Sequence, residues 1–138
     1  MWFKKKENKI EEVKFEKSKI KRIANSFKYA WKGIFSAFKS ERNMKIHFLM
    51  MLLVVVCGIT FEISLFEWQL CIILFGIVIA FEIINTAIEV VVDLVMPNID
   101  SRAKLAKDLA AGAVLVVATS AAFIGLTIFI PKFLELLK

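Results

Sequence analysis

The stretch FEIINTAIEVVVDL, residues 81–94, decides how this chain is read. It closes a long apolar run, yet it carries Glu82, Asn85, Glu89 and Asp93. On a helix turning about 100° per residue, Asn85, Glu89 and Asp93 fall at about −60°, −20° and +20° from Glu82. The four polar groups form one narrow stripe, and Ile83, Ile84, Ala87, Ile88, Val90, Val91 and Val92 cover the rest of the circumference. Such a helix belongs in lipid, with its stripe turned to protein or to a water-filled site. A lone Asn would serve helix packing, but three carboxylates in an apolar helix are costly and mark function. No Lys or Arg lies between Phe48 and Ser101, so a positive partner must come from elsewhere in the chain, another chain, a proton or a metal ion.

The composition supports a membrane protein. The chain is 59% hydrophobic with a net charge of +6, a combination that segregation explains. Residues 1–47 hold fourteen of the nineteen Lys and Arg against five acids, while residues 48–138 hold five bases and eight acids. The basic end reads as a membrane-surface region rather than a nucleic-acid domain, since a nucleic-acid reader has no need of the apolar remainder. Cys57 and Cys71 lie inside apolar runs and read as small core residues, without disulfide or metal spacing. No cleavable signal peptide, internal repeat or Pro/Gly linker is read.

In chain order, residues 1–18 are expected as a flexible cytoplasmic arm, either a frayed helix or a disordered segment. Residues 19–138 read as a single membrane domain. Its first element is an amphipathic helix over 19–40, with Ile20, Ile23, Ala24, Phe27, Trp31, Ile34, Phe35 and Phe38 at helical spacing and a basic opposite face. A basic face opposed to an aromatic one suits the bilayer interface. Three spans follow, at about residues 44–66, 68–96 and 105–130, the last two ended by Pro97 and Pro131. Residues 62–67 form the far turn. His47 reads as an interfacial residue. Ala118/Ala122 and Ala121/Gly125 favour close helix contacts. Positive charge on the N-terminal region and on the 98–107 loop places both in the cytoplasm. Glu41, the stripe and Lys107-Asp108 then share one depth near the inner surface.

Carboxylates at a membrane–water boundary are hard oxygen ligands suited to Mg²⁺, which takes its other ligands from phosphate and water. A nearby Lys can meet phosphate charge, and a further carboxylate can accept a proton from a lipid alcohol. The set fits phosphoryl transfer from a nucleotide to a lipid. The five glycines are isolated and no Walker pattern is present, so a P-loop or protein-kinase cradle is excluded.

Glu82-Ile83-Ile84-Asn85-Thr86-Ala87-Ile88-Glu89 with Asp93, then Arg102, Lys104, Lys107-Asp108 and Ala113-Val114-Leu115, resembles the prokaryotic diacylglycerol kinase and undecaprenol kinase family. So does Tyr29-Ala30-Trp31-Lys32-Gly33 with Glu41 downstream. The resemblance covers residues 19–130 and implies an all-α integral membrane fold: an interfacial helix and three membrane helices, assembled as a homotrimer with sites at subunit contacts. It implies ATP as phosphoryl donor, Mg²⁺ as cofactor, and no nucleic-acid partner. By position, Glu82 corresponds to the general base, and Glu41 and Glu89 to Mg²⁺ ligands. Arg22, Tyr29, Lys107 and Asp108 correspond to nucleotide contacts, with Asn85 a polar support and Asp93 on the same stripe. The loop at residues 98–100 departs from the diacylglycerol-kinase pattern.

The junction Ser40-Glu41-Arg42-Asn43-Met44-Lys45-Ile46-His47 looks like the Gram-positive branch, which phosphorylates undecaprenol. The expectation is therefore an undecaprenol kinase of the cytoplasmic membrane, with diacylglycerol as the alternative acceptor. Trp31, Phe35, Phe38 and Phe48 are expected to pack on the lipid chain. A small oligomeric transporter or proton pathway is the reading from another class. It would want its acids at the midplane, whereas Glu82 lies about 21 Å beyond Trp68.

Overall fold

The computed structural model describes the backbone of residues 2–137 and the side chains of residues 19–137. Among them are four helices and no strand: α1 Trp2–Ser40, α2 Arg42–Thr60, α3 Leu65–Val95 and α4 Ser101–Leu136. Two units can be distinguished, Met1–Ser36 and Ala37–Lys138.

The first unit is the body of α1. Its side chains are described from Lys19 onward, so those of the expected arm, residues 1–18, lie outside the described residues. From Lys19 to Ser36 the basic positions and all the apolar ones but the half-buried Ile34 are exposed, Ile20, Phe27, Trp31 and Phe35 among them.

The second unit is a three-helix bundle. Glu41 alone separates α1 from α2. Its backbone is extended, and its side chain makes no capping bond. That leaves the Glu41 carboxylate uncommitted to the helix start. α2 ends in a tight reversal. Ile63 N–H bonds to Gly58 O at 3.1 Å and Glu62 N–H to Ile59 O at 3.3 Å, with Glu62 left-handed at φ 49°. These two bonds are the Schellman pattern, which usually takes Gly where Glu62 stands. Ser64 then starts α3 through a capping box, its hydroxyl accepting from Glu67 N–H while Glu67 accepts from Ser64 N–H. The turn is therefore residues 61–64, and α3 begins three residues before Trp68, because the S-x-x-E cap sets the boundary.

α3 packs mainly on α4 and less on α2. Its 31 residues span about 46 Å, longer than the hydrocarbon core. At the end near the 61–64 turn, Ile63, Cys71 and Ile128 form a buried cluster flanked by Trp68, Phe75 and Phe129. Gly58 is buried against Trp68, and a Cβ there would lie 2.7 Å from the indole ring.

At the other end of α3, Asp100 caps α4 by accepting from Arg102 N–H at 2.7 Å and pairs with the Arg102 guanidinium at 3.2 Å. The guanidinium bond first, and the backbone bond after it, hold the Asp100 carboxyl below the usual carboxylate range. Pro131 does not end α4, which runs on to Leu136. A proline removes one N–H from the ladder. Here the Lys132–Glu67 ion pair at 3.5 Å ties the turn beyond it to the start of α3.

Leu49, Leu53, Ile72, Val90, Leu115 and Phe123 are all exposed on these three helices. Apolar surface on that scale is incompatible with water. α2, α3 and α4 are each long and apolar enough to cross a membrane, and the chain is a multi-pass membrane protein.

Candidate active site

Glu82 is the most deeply buried charged residue described, at 1% exposure. It sits on α3 where α2 crosses, and His47 of α2 meets it with Nε2 3.0 Å from Glu82 Oε1. One helical turn further along α3, Asn85 is also buried, and its Nδ2 donates to Glu89 Oε1 at 3.1 Å. The other amide atom, Asn85 Oδ1, is buried without a hydrogen-bond partner among the described residues. The Glu82–Glu89 part of the stripe is thus held in place by two side-chain contacts, one across helices and one along α3.

A pocket of about 210 Å³ opens on this stripe. Asn43, Ile46 and His47 line it from α2, Glu82 and Asn85 from α3, and Ala111, Val114, Leu115 and Ala118 from α4. The α4 wall brings no charge. A second, apolar space of about 490 Å³ runs between α2, α3 and α4 towards Cys57, Cys71 and Phe129. It shares Ile46, His47 and Ala118 with the polar pocket. Its α4 side is the small-residue stripe Ala118, Ala121, Ala122 and Gly125. Those residues line open space in this chain, and a Cβ at Gly125 would meet nothing within 4 Å.

Beyond Glu89 the stripe reaches Asp93, which takes Lys107 Nζ of α4 at 2.5 Å. Lys104 pairs with Asp108 one turn along α4, also at 2.5 Å. Lys107 and Asp108 therefore have separate partners, and Asp93 gains a contact that the sequence left unassigned. Glu41 and Glu89 are both half-buried. Among the described residues no three His, Cys, Asp or Glu side chains gather as a metal cluster. The donor chemistry still suits a hard cation. Asn85 offers a buried amide oxygen, unpartnered among the described residues, on the side chain that steadies the Glu89 carboxylate, and oxygen donors of this kind suit hard cations.

Of the expected aromatic contacts, Phe38 and Phe48 pack edge to face with ring centroids 5.0 Å apart. Trp31 and Phe35 are exposed on the first unit, as are Arg22 and Tyr29. Two wall residues, His47 and Asn43, carry no site role in the sequence, where His47 reads as an interfacial residue and Asn43 as part of the 40–47 junction. The available signal was the short reversal between α2 and α3, which folds the start of α2 back along the stripe.

These features define a small all-helical, multi-pass membrane protein with a buried carboxylate where a polar pocket meets an apolar groove. Residues 28–129 match the family described as prokaryotic diacylglycerol kinase, and the chain belongs to that family of lipid kinases. It is 40% identical over 119 residues to an undecaprenol kinase of Bacillus subtilis (strain 168), covering 86% of this chain and 97% of that one. A diacylglycerol kinase of Synechocystis is 35% identical over 113 residues, covering 81% of this chain and 65% of the relative. A diacylglycerol kinase of Sinorhizobium is 45% identical over 65 residues, 47% of this chain and 44% of the relative.

Proposed function

We propose that the chain transfers the γ-phosphoryl group of ATP to the hydroxyl of undecaprenol at the cytoplasmic face of the cell membrane, with Glu82 as general base. The observation that carries this reading is the buried Glu82 carboxylate in a pocket that shares Ile46, His47 and Ala118 with an apolar groove. A lipid alcohol calls for that combination: hydrocarbon walls for its chain and a proton acceptor at its hydroxyl.

Glu82 takes the hydroxyl proton as the oxygen bonds to the γ-phosphorus. The bond from that phosphorus to the β–γ bridging oxygen breaks, and ADP leaves. Glu41, Glu89 and the Asn85 amide oxygen are the groups we assign to hold Mg²⁺, which when bound neutralises phosphate charge. Lys107, Asp108, Arg22 and Tyr29 are assigned to the nucleotide, Lys107 exchanging Asp93 for phosphate. Trp31, Phe35, Phe38 and Phe48 are assigned to the lipid chain.

The basic, aromatic α1 suits the inner bilayer surface, with the N-terminus cytoplasmic. Apolar side chains exposed on α3 and α4, Val90, Leu115 and Phe123 among them, support a homo-oligomer, and the family resemblance implies a trimer.

Undecaprenol is favoured by the Bacillus subtilis relative, whose match spans 86% of this chain and 97% of that one. Diacylglycerol is the second reading, favoured by the names of the other two relatives. ATP consumption with each acceptor, side by side in the same bilayers, decides between them. A higher kcat/KM for the polyprenol is expected. A clear preference for diacylglycerol would overturn the acceptor, and the absence of lipid-dependent turnover with either would overturn the lipid-alcohol reading itself.

A further inference from the structure

The contact between His47 and Glu82 has no place in the role assignments above, and among the described residues it is the side-chain hydrogen bond that joins α2 to the stripe. Glu82 is 1% exposed, while the His47 side chain is 20% exposed. Among the described residues, His47 is the side chain that meets the Glu82 carboxylate. The other residues lining the pocket are Asn43 and Ile46 from α2, Asn85 from α3 and the uncharged wall of α4. Glu82 and His47 are thus the pocket's two titratable groups.

We propose that His47 is the positioning residue of the phosphoryl-transfer site: its Nε2–H fixes the Glu82 carboxylate with one oxygen turned to the acceptor hydroxyl. This rests on Glu82 being the base. An ionised carboxylate only accepts hydrogen bonds, so the proton on the shared bond belongs to His47 Nε2. That bond occupies Oε1, and Oε2 keeps its lone pairs for the substrate proton. The polar side chains one turn along α3 are committed elsewhere, the Asn85 Nδ2 to Glu89 Oε1 and the Thr86 hydroxyl to the Glu82 backbone carbonyl. Without His47 the carboxylate is free to rotate away from the acceptor. The same ring also lines the apolar groove, so it stands where a lipid chain would end and its hydroxyl begin. The arrangement inverts the familiar order in which a carboxylate orients a histidine base; here the imidazole orients the carboxylate.

The single histidine of the chain makes this testable in the full-length protein in bilayers. With ¹⁵N-labelled histidine, the ring nitrogens should report an Nε2–H tautomer or a doubly protonated ring, and their resonances should move in Glu82→Gln. His47→Ala should lower kcat by about 100-fold, the scale of a misplacement of about 1 Å, with KM for ATP within about twofold. His47→Gln keeps an N–H donor in place of the imidazole nitrogen and should recover kcat to within about tenfold of the parent. A kcat for His47→Ala within about twofold of the parent, or a His47→Gln as slow as His47→Ala, would overturn the positioning role while Glu82→Gln stays inactive. Turnover retained in Glu82→Gln would instead remove Glu82 as the base, and the role of His47 with it.

Discussion

Replacing Glu82 by Gln separates the chemical role of this residue from its structural one. The side chain is 1% exposed, so its volume matters: Glu82→Ala would leave a cavity and strip the His47 ring of its acceptor. Gln fills the same space, and its amide oxygen still accepts from His47 Nε2. What changes in the fold is one charge-assisted hydrogen bond becoming neutral, a difference of about 1 kcal/mol. The change in chemistry is much larger, because an amide cannot take the acceptor's proton. General-base catalysis contributes about 10²- to 10⁴-fold, equivalent to about 3 to 5.5 kcal/mol of barrier. Glu82→Gln should therefore assemble normally, bind Mg²⁺–ATP within about twofold of the parent and lose kcat by at least about 100-fold. The assay is lipid-dependent ATP turnover beside nucleotide binding on one preparation. A variant that loses binding and turnover together would refute the separation, because Glu82 would then be holding the site rather than acting in it. Near-normal turnover would remove Glu82 from the chemistry.

Glu41→Gln and Glu89→Gln should each abolish turnover while the protein stays folded and oligomeric; near-normal activity of either at saturating Mg²⁺ would refute its assignment as ligand. Co-assembling inactive subunits mutated at different site positions should restore part of the activity if sites are shared between subunits, and no recovery in verified mixed oligomers would place the whole site within one chain. Gly58→Ala would put a Cβ 2.7 Å from the Trp68 ring and 3.0 Å from Ile63 Cδ1. Overpacking of that kind costs about 1–3 kcal/mol and should appear as a lowered unfolding temperature in detergent with turnover intact after reconstitution. The Asp100 carboxyl is held below its ordinary range by Arg102, so the stability it adds is present above that range and is lost only as pH falls through the lowered value. The stability gap between the parent and Asp100→Asn should stay constant from neutral pH down to the ordinary carboxylate range and close below it.

The parts of this molecule legible in its sequence are those that periodicity controls. The 81–94 stripe needed only a 3.6-residue repeat and the rule that lipid rejects charge, and Glu82, Asn85 and Glu89 do share contacts or a pocket. Helix ends were less legible. Pro131 reads as a stop but lies inside α4, because helix termination there competes with a tertiary contact, Lys132–Glu67. The Ser64 cap carried a local signal, S-x-x-E, that the charge pattern of the turn obscured. His47 was the least legible. Its role depends on the register between α2 and α3, set by a left-handed Glu62 where the usual glycine marker is absent.

Three features of the single chain look outward, and they carry unequal weight. The aromatic positions of α1 are exposed, and the Ala118–Gly125 face of α4 lines open space. Lipid satisfies both, since hydrocarbon against hydrocarbon carries no penalty in a bilayer and helix association there must be driven by packing. Asn85 Oδ1 is different. A buried amide oxygen without a donor costs about 1–3 kcal/mol, and lipid offers it nothing. It lies on the side chain that holds Glu89, one turn from Glu82, and within the walls of the polar pocket. A cation, a cation-bound water or a donor from a second copy of the chain would each satisfy it. Nucleotide binding distinguishes these sources: Asn85→Leu and Asn85→Asp both lose the Nδ2 donor to Glu89, but only Asn85→Leu also loses the oxygen, so Asn85→Leu should weaken Mg²⁺ dependence more than Asn85→Asp if the partner is the cation. It should instead weaken assembly if the partner is another subunit. Unchanged metal dependence together with unchanged assembly would show that this oxygen serves neither.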